Sequence, residues 1–156
     1  MAHAAKLLGA TPDTVVDGIT KRLDEIDALR REIKVLRGKA AAGQASELAG
    51  RGRDGVVVAR VDGLTPGSLR ELALAVRQQP DIRAVVLAGE SDTGGVSLVS
   101  AVSTSSGLEA GALIKDAARA VGGGGGGKGD VATAGGKNAA GIDDALAIAA
   151  KAAGLG

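Results

Sequence analysis

The chain contains no cysteine, phenylalanine, tyrosine or tryptophan, and its one histidine is His3. The missing thiols exclude a disulfide framework, a Cys/His zinc site and a catalytic cysteine, and a lone N-terminal histidine excludes a Ser-His-Asp triad deep in a fold. Missing aromatic rings exclude the base stacking on which RNA-recognition-motif and OB-type proteins rely, so any contact to a base must use backbone or Arg. No apolar run approaches the ~20 residues of a membrane span, and the N-terminus carries no signal-peptide stretch, which predicts a cytoplasmic protein without a membrane partner. Charge of one sign is scarce as well: 19 Lys+Arg against 18 Asp+Glu leave a net charge of +1.

What fills the 156 residues is small, for alanine and glycine together exceed a third of them. Leu, Ile and Val make up 24% of the chain, above the roughly 20% below which a sequence reads as disordered. The expectation is one compact domain plus an appendage, with a core of closely packed small side chains.

Ala2 to Leu8 reads as a short helix closed by Gly9, and Thr11-Pro12 supplies an N-cap with proline at the first helical position of a longer helix. Along that helix Val16, Ile19, Leu23, Ile26, Leu29, Ile33 and Leu36 are spaced 3, 4, 3, 3, 4 and 3 apart, a heptad seam with one extra three-residue step. Charges of both signs lie between them, among them Arg30, Arg31 and Arg37, so the seam needs a partner and the other faces are solvated. Gly38 to Gly55 has few large apolar residues and reads as a linker or fraying helix end, placing a boundary near residue 50. Residues 1–50 form the helical segment and 51–156 the globular domain.

From Val56 the pattern turns to a strand, Val56 to Val61, ended by Asp62-Gly63. Thr65-Pro66 opens a helix burying Leu69, Leu72, Ala73 and Val76 and stopping at Pro80. Ala84 to Ala88 is a fully buried strand, Glu90 to Gly95 a turn, and Val96 to Ser103 a third strand in a hairpin with the second. Leu108 to Val121 is a helix, the six glycines Gly122 to Gly127 open a loop reaching about Asn138, and Ile142 to Ala153 is the closing helix. The fold class is α/β (α+β): a helical, coiled-coil segment followed by a three- to five-stranded sheet packed by helices, with a Gly-rich loop.

That loop meets most of the Walker A spacing through Lys128. A helix precedes it, glycine follows the lysine, and no Walker B strand is evident, so NTP hydrolysis is a poor fit. Downstream stands a second glycine pair with a second lysine, Gly135-Gly136-Lys137. Successive N–H groups in Gly-rich turns form anion-binding nests, and neighbouring lysines add charge for phosphate. Asp130 reads as a turn-forming or capping acid. Gly127, Gly135 and Gly136 read as positions that need positive φ or the close approach of RNA.

The run Gly126-Gly127-Lys128-Gly129-Asp130-Val131-Ala132-Thr133-Ala134-Gly135-Gly136 resembles the family pattern G-G-R-P-D-M-A-Q-A-G-G of the DHH-associated domain near the C-terminus of alanyl-tRNA synthetase. The resemblance extends through Gly107 to Lys115, through Val57 to Leu72, and into the N-terminal helical part. It implies a C-terminal, non-catalytic module that holds the elbow of alanine tRNA and supports a homodimer through its helical segment. Aminoacylation and editing, with their ATP and zinc, would reside in other synthetase domains, so this module itself takes no cofactor and no metal. With this resemblance the expected tRNA-contacting set is Lys128 and Lys137 beside Gly127, Gly135 and Gly136, extended by Lys115 and Arg119, which stand four apart on the helix leading into the loop. The expected dimer set is the seam Ile19, Leu23, Ile26, Leu29, Ile33 and Leu36. Lys for Arg at 128 and Gly for Pro at 129 depart from the pattern and imply weaker, less bidentate phosphate recognition. Two other readings stay open: an oligonucleotide-gripping domain of a DHH-type phosphoesterase, and a purely structural dimerisation piece.

Overall fold

A computed structural model describes residues 6, 7, 9, 11, 14–127 and 129–156. The short helix expected over Ala2 to Leu8 and the Pro12 of its successor's cap fall largely outside these residues. The chain divides into two compact units, one reaching Ala40 and one starting at Ala41.

The first unit is dominated by helix α1, Val15–Gly50, whose last turns belong to the second unit. Its polar residues alternate with an apolar stripe that finds no cover: Ile19, Leu23, Ile26, Leu29, Ile33 and Leu36 are each 43–57% exposed. The linker expected from Gly38 onward is instead helix, unbroken through Gly38 and Gly43 to Gly50. Each helical glycine costs about 1 kcal/mol. Burial of Ala45 and Leu48 against the sheet domain outweighs that cost.

The second unit is a five-stranded mixed sheet in the order β1-β2-β3-β5-β4. Its elements are β1 (Val56–Arg60), α2 (Pro66–Arg77), β2 (Ala84–Glu90), β3 (Val96–Val102), α3 (Ala110–Ala120), β4 (Gly124–Gly126), β5 (Val131–Gly136), a 3-10 turn (Ala139–Gly141) and α4 (Ile142–Ala152). β1 and β2 are parallel across the α2 crossover, and every other pairing is antiparallel. The β2–β3 hairpin stands as the sequence indicates. Thr65 Oγ1 accepts the Ser68 N–H at 3.1 Å and Pro66 takes the first helical turn, so α2 starts where its cap predicts.

Strand alternation divides the core between two faces. Val56, Val86 and Leu98 meet Leu113 and Ile114 of α3 and Ile142, Ala145 and Ala149 of α4. On the opposite face Val57, Val85, Leu87 and Val99 meet Leu69, Leu72 and Val76 of α2 and the end of α1. β2 is buried on both faces, hence its unbroken apolar run. Small residues set the spacing: a Cβ on Gly141 would strike the Ala120 carbonyl, and Ser100, fully buried on β3, donates its hydroxyl to the Ala110 carbonyl at 2.6 Å.

The loop expected from Gly122 to Asn138 is instead the β4–β5 hairpin at the edge of the sheet. Glycine is a poor strand former, but here a side chain has no room. A Cβ on Gly125 would collide with Ala134, and one on Gly127 would lie 2.6 Å from the Val131 carbonyl.

Candidate nucleic-acid interface

β5 lies between β3 and β4, and its register sets Ser97, Gly135 and Gly124 in one transverse row. Two of the three have no side chain, so the sheet surface there is bare peptide. Thr133, two residues back on β5, looks out on the same face. Around this row Ser91, Thr93, Gly94 and Gly95 of the β2–β3 turn, together with Pro66, enclose a concavity of about 420 Å³. Its side-chain polar groups are the hydroxyls of Ser91, Thr93, Ser97 and Thr133, and no charged residue lines it among the described residues. Pro66 brings the N-terminal, partially positive end of α2 to the rim.

The glycines of this region divide by what they permit. A Cβ on Gly124 would meet nothing within 4 Å, and one on Gly135 would touch the Val96 carbonyl at an ordinary 3.5 Å. Neither residue has positive φ. The protein's own packing therefore does not demand glycine at these two positions, and its effect there is to leave the groove open. Gly136 differs, because its Cβ would strike the Val121 carbonyl. The expected positive φ at Gly127, Gly135 and Gly136 is absent from all three. The left-handed glycines nearby are Gly94 (φ 84°) and Gly95 (φ 88°) of the β2–β3 turn, Gly122 (φ 64°) and Gly129 (φ 93°). At Gly127 and Gly136 the group that approaches closely is the protein's own backbone.

The other expected residues are dispersed around the hairpin. Lys115 and Arg119 lie exposed on α3, which starts against the hairpin: a Cβ on Gly111 would stand 2.5 Å from the Gly127 carbonyl. Arg119 Nη1 is 3.1 Å from Asp116 Oδ1, so its charge is partly offset locally, whereas Lys115 makes no ion pair among the described residues. Lys137 is exposed directly after β5, and its N–H and that of Asn138 both donate to the Val121 carbonyl, at 3.0 and 2.9 Å. Lys128 lies outside the described residues. Gly135 and Gly136 line the groove on the α2 face, while Lys115 and Arg119 belong to the α3 face, with β4 as the edge between them.

Asp130 lies in the bend between β4 and β5, as the turn reading expects, and caps no helix. Its carboxylate is paired with Arg77 Nη1, and its backbone carbonyl accepts the Val102 N–H at 2.8 Å. The hydrogen bond and charge of Arg77 hold the Asp130 carboxyl below the usual carboxylate range. Asp62 is likewise held low, first by the Glu90 N–H and then by Arg60. Sequence reasoning missed Ser91, Thr93, Ser97 and Gly124 as groove residues. The available signal was the Ser-Asp-Thr-Gly-Gly turn, with its two hydroxyls beside a glycine pair, leading directly into Ser97 of β3.

Among the described residues no cluster of three or more His, Cys, Asp or Glu is placed to hold a metal ion, and no helix is long and apolar enough to cross a membrane. Comparison with known proteins places residues 53–154 within the model of the DHHA1 domain. An alanine–tRNA ligase of Acidovorax is 39% identical over 151 residues, and the chloroplastic/mitochondrial alanine–tRNA ligase of Micromonas pusilla is 36% identical over 154. These alignments cover 93% and 92% of the chain, which spans only 17% of the length of either relative. The C-Ala domain of Aquifex aeolicus alanyl-tRNA synthetase superposes with a TM-score of 0.57 at 26% identity, covering 65% of this chain and 91% of that one.

Proposed function

The chain belongs to the DHHA1 domain family, and from that footing we propose that it is the tRNA-holding and self-associating module of an alanyl-tRNA synthetase. It grips the elbow of alanine tRNA for chemistry carried out by other domains. The observation that carries this reading is the Ser97–Gly135–Gly124 row, where the Gly-Gly pair of the family-like motif leaves bare backbone in a hydroxyl-lined groove. A ribose-phosphate chain can come close to such a surface and hydrogen-bond to hydroxyls and peptide groups, without aromatic stacking. Lys137 and Lys115 are exposed near the hairpin and supply positive charge, joined on sequence grounds by Lys128. The relatives named above are alanine–tRNA ligases, which supports alanine tRNA as the RNA. Catalysis, ATP and zinc are assigned to domains beyond this module.

Residues 54–156 carry 9 basic and 11 acidic groups, so recognition is local and shape-based rather than a general attraction to polyanions. With two or three lysines engaged, log affinity should fall against log salt with a slope of about −2 to −3. The test is salt-titrated binding of the chain to alanine tRNA, to its acceptor-stem minihelix, and to a tRNA whose D-loop/T-loop contact is disrupted. Binding restricted to the intact tRNA, and weakened by Lys128→Ala with Lys137→Ala, is the expected result. Equal binding to all three, or to none, overturns the elbow reading.

Self-association is supported by a separate observation, the uncovered stripe of Ile19, Leu23, Ile26, Leu29, Ile33 and Leu36. A second copy would bury it. Ile26→Asp with Ile33→Asp should give a monomer by sedimentation while leaving tRNA binding at the groove intact.

A further inference from the structure

We propose that the exposed face of α1 pairs with the same face of a second copy in parallel and in register, an inference that rests on the self-association reading above. Counted along the isoleucines, the seam has no irregular step. Ile19, Ile26 and Ile33 recur every seven residues, and Leu29 and Leu36 each follow an isoleucine by three. Isoleucine at the first core position of a heptad and leucine at the second is the combination that favours two parallel strands. The first heptad has Arg22 at the leucine place, where it pairs with Glu25 at 2.8 Å and Leu23 beside it carries the apolar face. Ala40 and Gly43 occupy the next two core places and end the seam.

The flanking charges select the direction. Glu25 and Glu32 immediately precede core isoleucines, and Arg30 and Arg37 immediately follow core leucines. In a parallel, in-register pair each flanking residue before the first core position faces the residue five places further on in the other strand. Glu25 then meets Arg30 of the partner subunit, and Glu32 meets Arg37 of the partner subunit. In an antiparallel pair centred on Ile26, Glu25 instead approaches Asp27 of the partner subunit and Arg30 approaches Arg22 of the partner subunit, like charge against like, which is repulsive. Glu25 pairs with Arg22 of its own helix across an exposed surface and would have to exchange that partner, Arg30 is held no closer than 3.8 Å to Asp27, and Glu32 and Arg37 make no ion pair among the described residues. Glu32, Arg37 and the loosely held Arg30 are therefore available to a neighbour.

An antiparallel pair remains a real competitor, because the spacings 3, 4, 3, 3, 4 and 3 read the same in both directions about Ile26. The two arrangements differ at the ends. In the parallel pair Leu36 faces its own copy. In the antiparallel one it faces Val16 of the partner subunit, 20 residues away in sequence, so the two Leu36 side chains lie about 30 Å apart.

The chain has no cysteine, so a single introduced thiol reports its own neighbour. Ile26→Cys and Leu36→Cys chains are oxidised with oxidised glutathione and read on a non-reducing gel, with sedimentation mass measured in parallel. Disulfide dimers from both variants are the expected result. Closure by Ile26→Cys alone, with mixed dimers when Val16→Cys and Leu36→Cys chains are combined, overturns the parallel arrangement and leaves self-association standing. No closure by either, with a monomer mass, overturns self-association itself.

Discussion

Arg77 and Asp130 stand 53 positions apart in the chain and meet through an Nη1–Oδ2 ion pair of 2.5 Å. The pair joins the last residue of α2 to the connection between β4 and β5. The same guanidinium nitrogen donates to the Val102 carbonyl at 3.3 Å, so one side chain holds the edge hairpin to the centre of the sheet.

This contact predicts a defined acid response. The Asp130 carboxyl is held below its usual range in the folded chain, so its contribution is present above the unfolded value near 3.9 and is lost as pH falls through the lower folded value. Asp130→Asn should lower the urea midpoint at pH 7, and the gap to the parent chain should close as pH falls below the unfolded value and through the lower folded one. A gap that stays constant between pH 7 and pH 2 would show that the ion pair does not contribute.

Neighbouring glycines should respond in opposite ways. Gly136→Ala places a methyl on the Val121 carbonyl and should cost about 1–3 kcal/mol in urea unfolding. Gly135→Ala has room and should change stability by less than about 0.5 kcal/mol. Its larger relative, Gly135→Val, should fill the groove and weaken alanine-tRNA binding several-fold in a fold of unchanged circular dichroism.

Ser100→Ala removes a fully buried hydroxyl that donates to the Ala110 carbonyl at 2.6 Å. The loss should be about 1–2 kcal/mol, measured by urea or thermal unfolding. Because the bond ties β3 to the first residue of α3, amide exchange at the start of α3 should quicken with it.

Lys115 and Arg119 offer an internal comparison on one helix. Arg119 is paired with Asp116 while Lys115 is unpaired among the described residues. If the elbow reading holds, Lys115→Ala should flatten the salt slope of tRNA binding by about one. Arg119→Ala should move it by much less, as titration at four or five salt concentrations would reveal.

Where side chains carry the pattern, the fold is legible in the sequence. Thr65-Pro66 marks the start of α2, the unbroken apolar run marks β2 as buried on both faces, and the alternation from Val96 marks β3. Where side chains are absent, it is not. Gly124 to Gly126 form a strand because neighbouring backbone lies too close for any Cβ at Gly125, and hydrophobic periodicity cannot register that. The helix through Gly38 and Gly43 is hidden for a related reason, since tertiary burial of Ala45 and Leu48 decides it rather than local propensity. Of the candidate site, the Gly135-Gly136 pair was visible as a motif. The row that joins it to Ser97 depends on strand register, and the Arg77–Asp130 pair on a contact across 53 residues.

The sheet ends on a strand of three glycines, while β3 forms its centre and β2 beside it is buried on both faces. Opening an edge that has no side chains to unpack costs little, and opening the centre costs the whole fold. Deuterium should therefore enter the amides of β4 long before those of β2, so that the hairpin bearing the family-like motif comes loose and re-forms many times within the lifetime of one folded molecule.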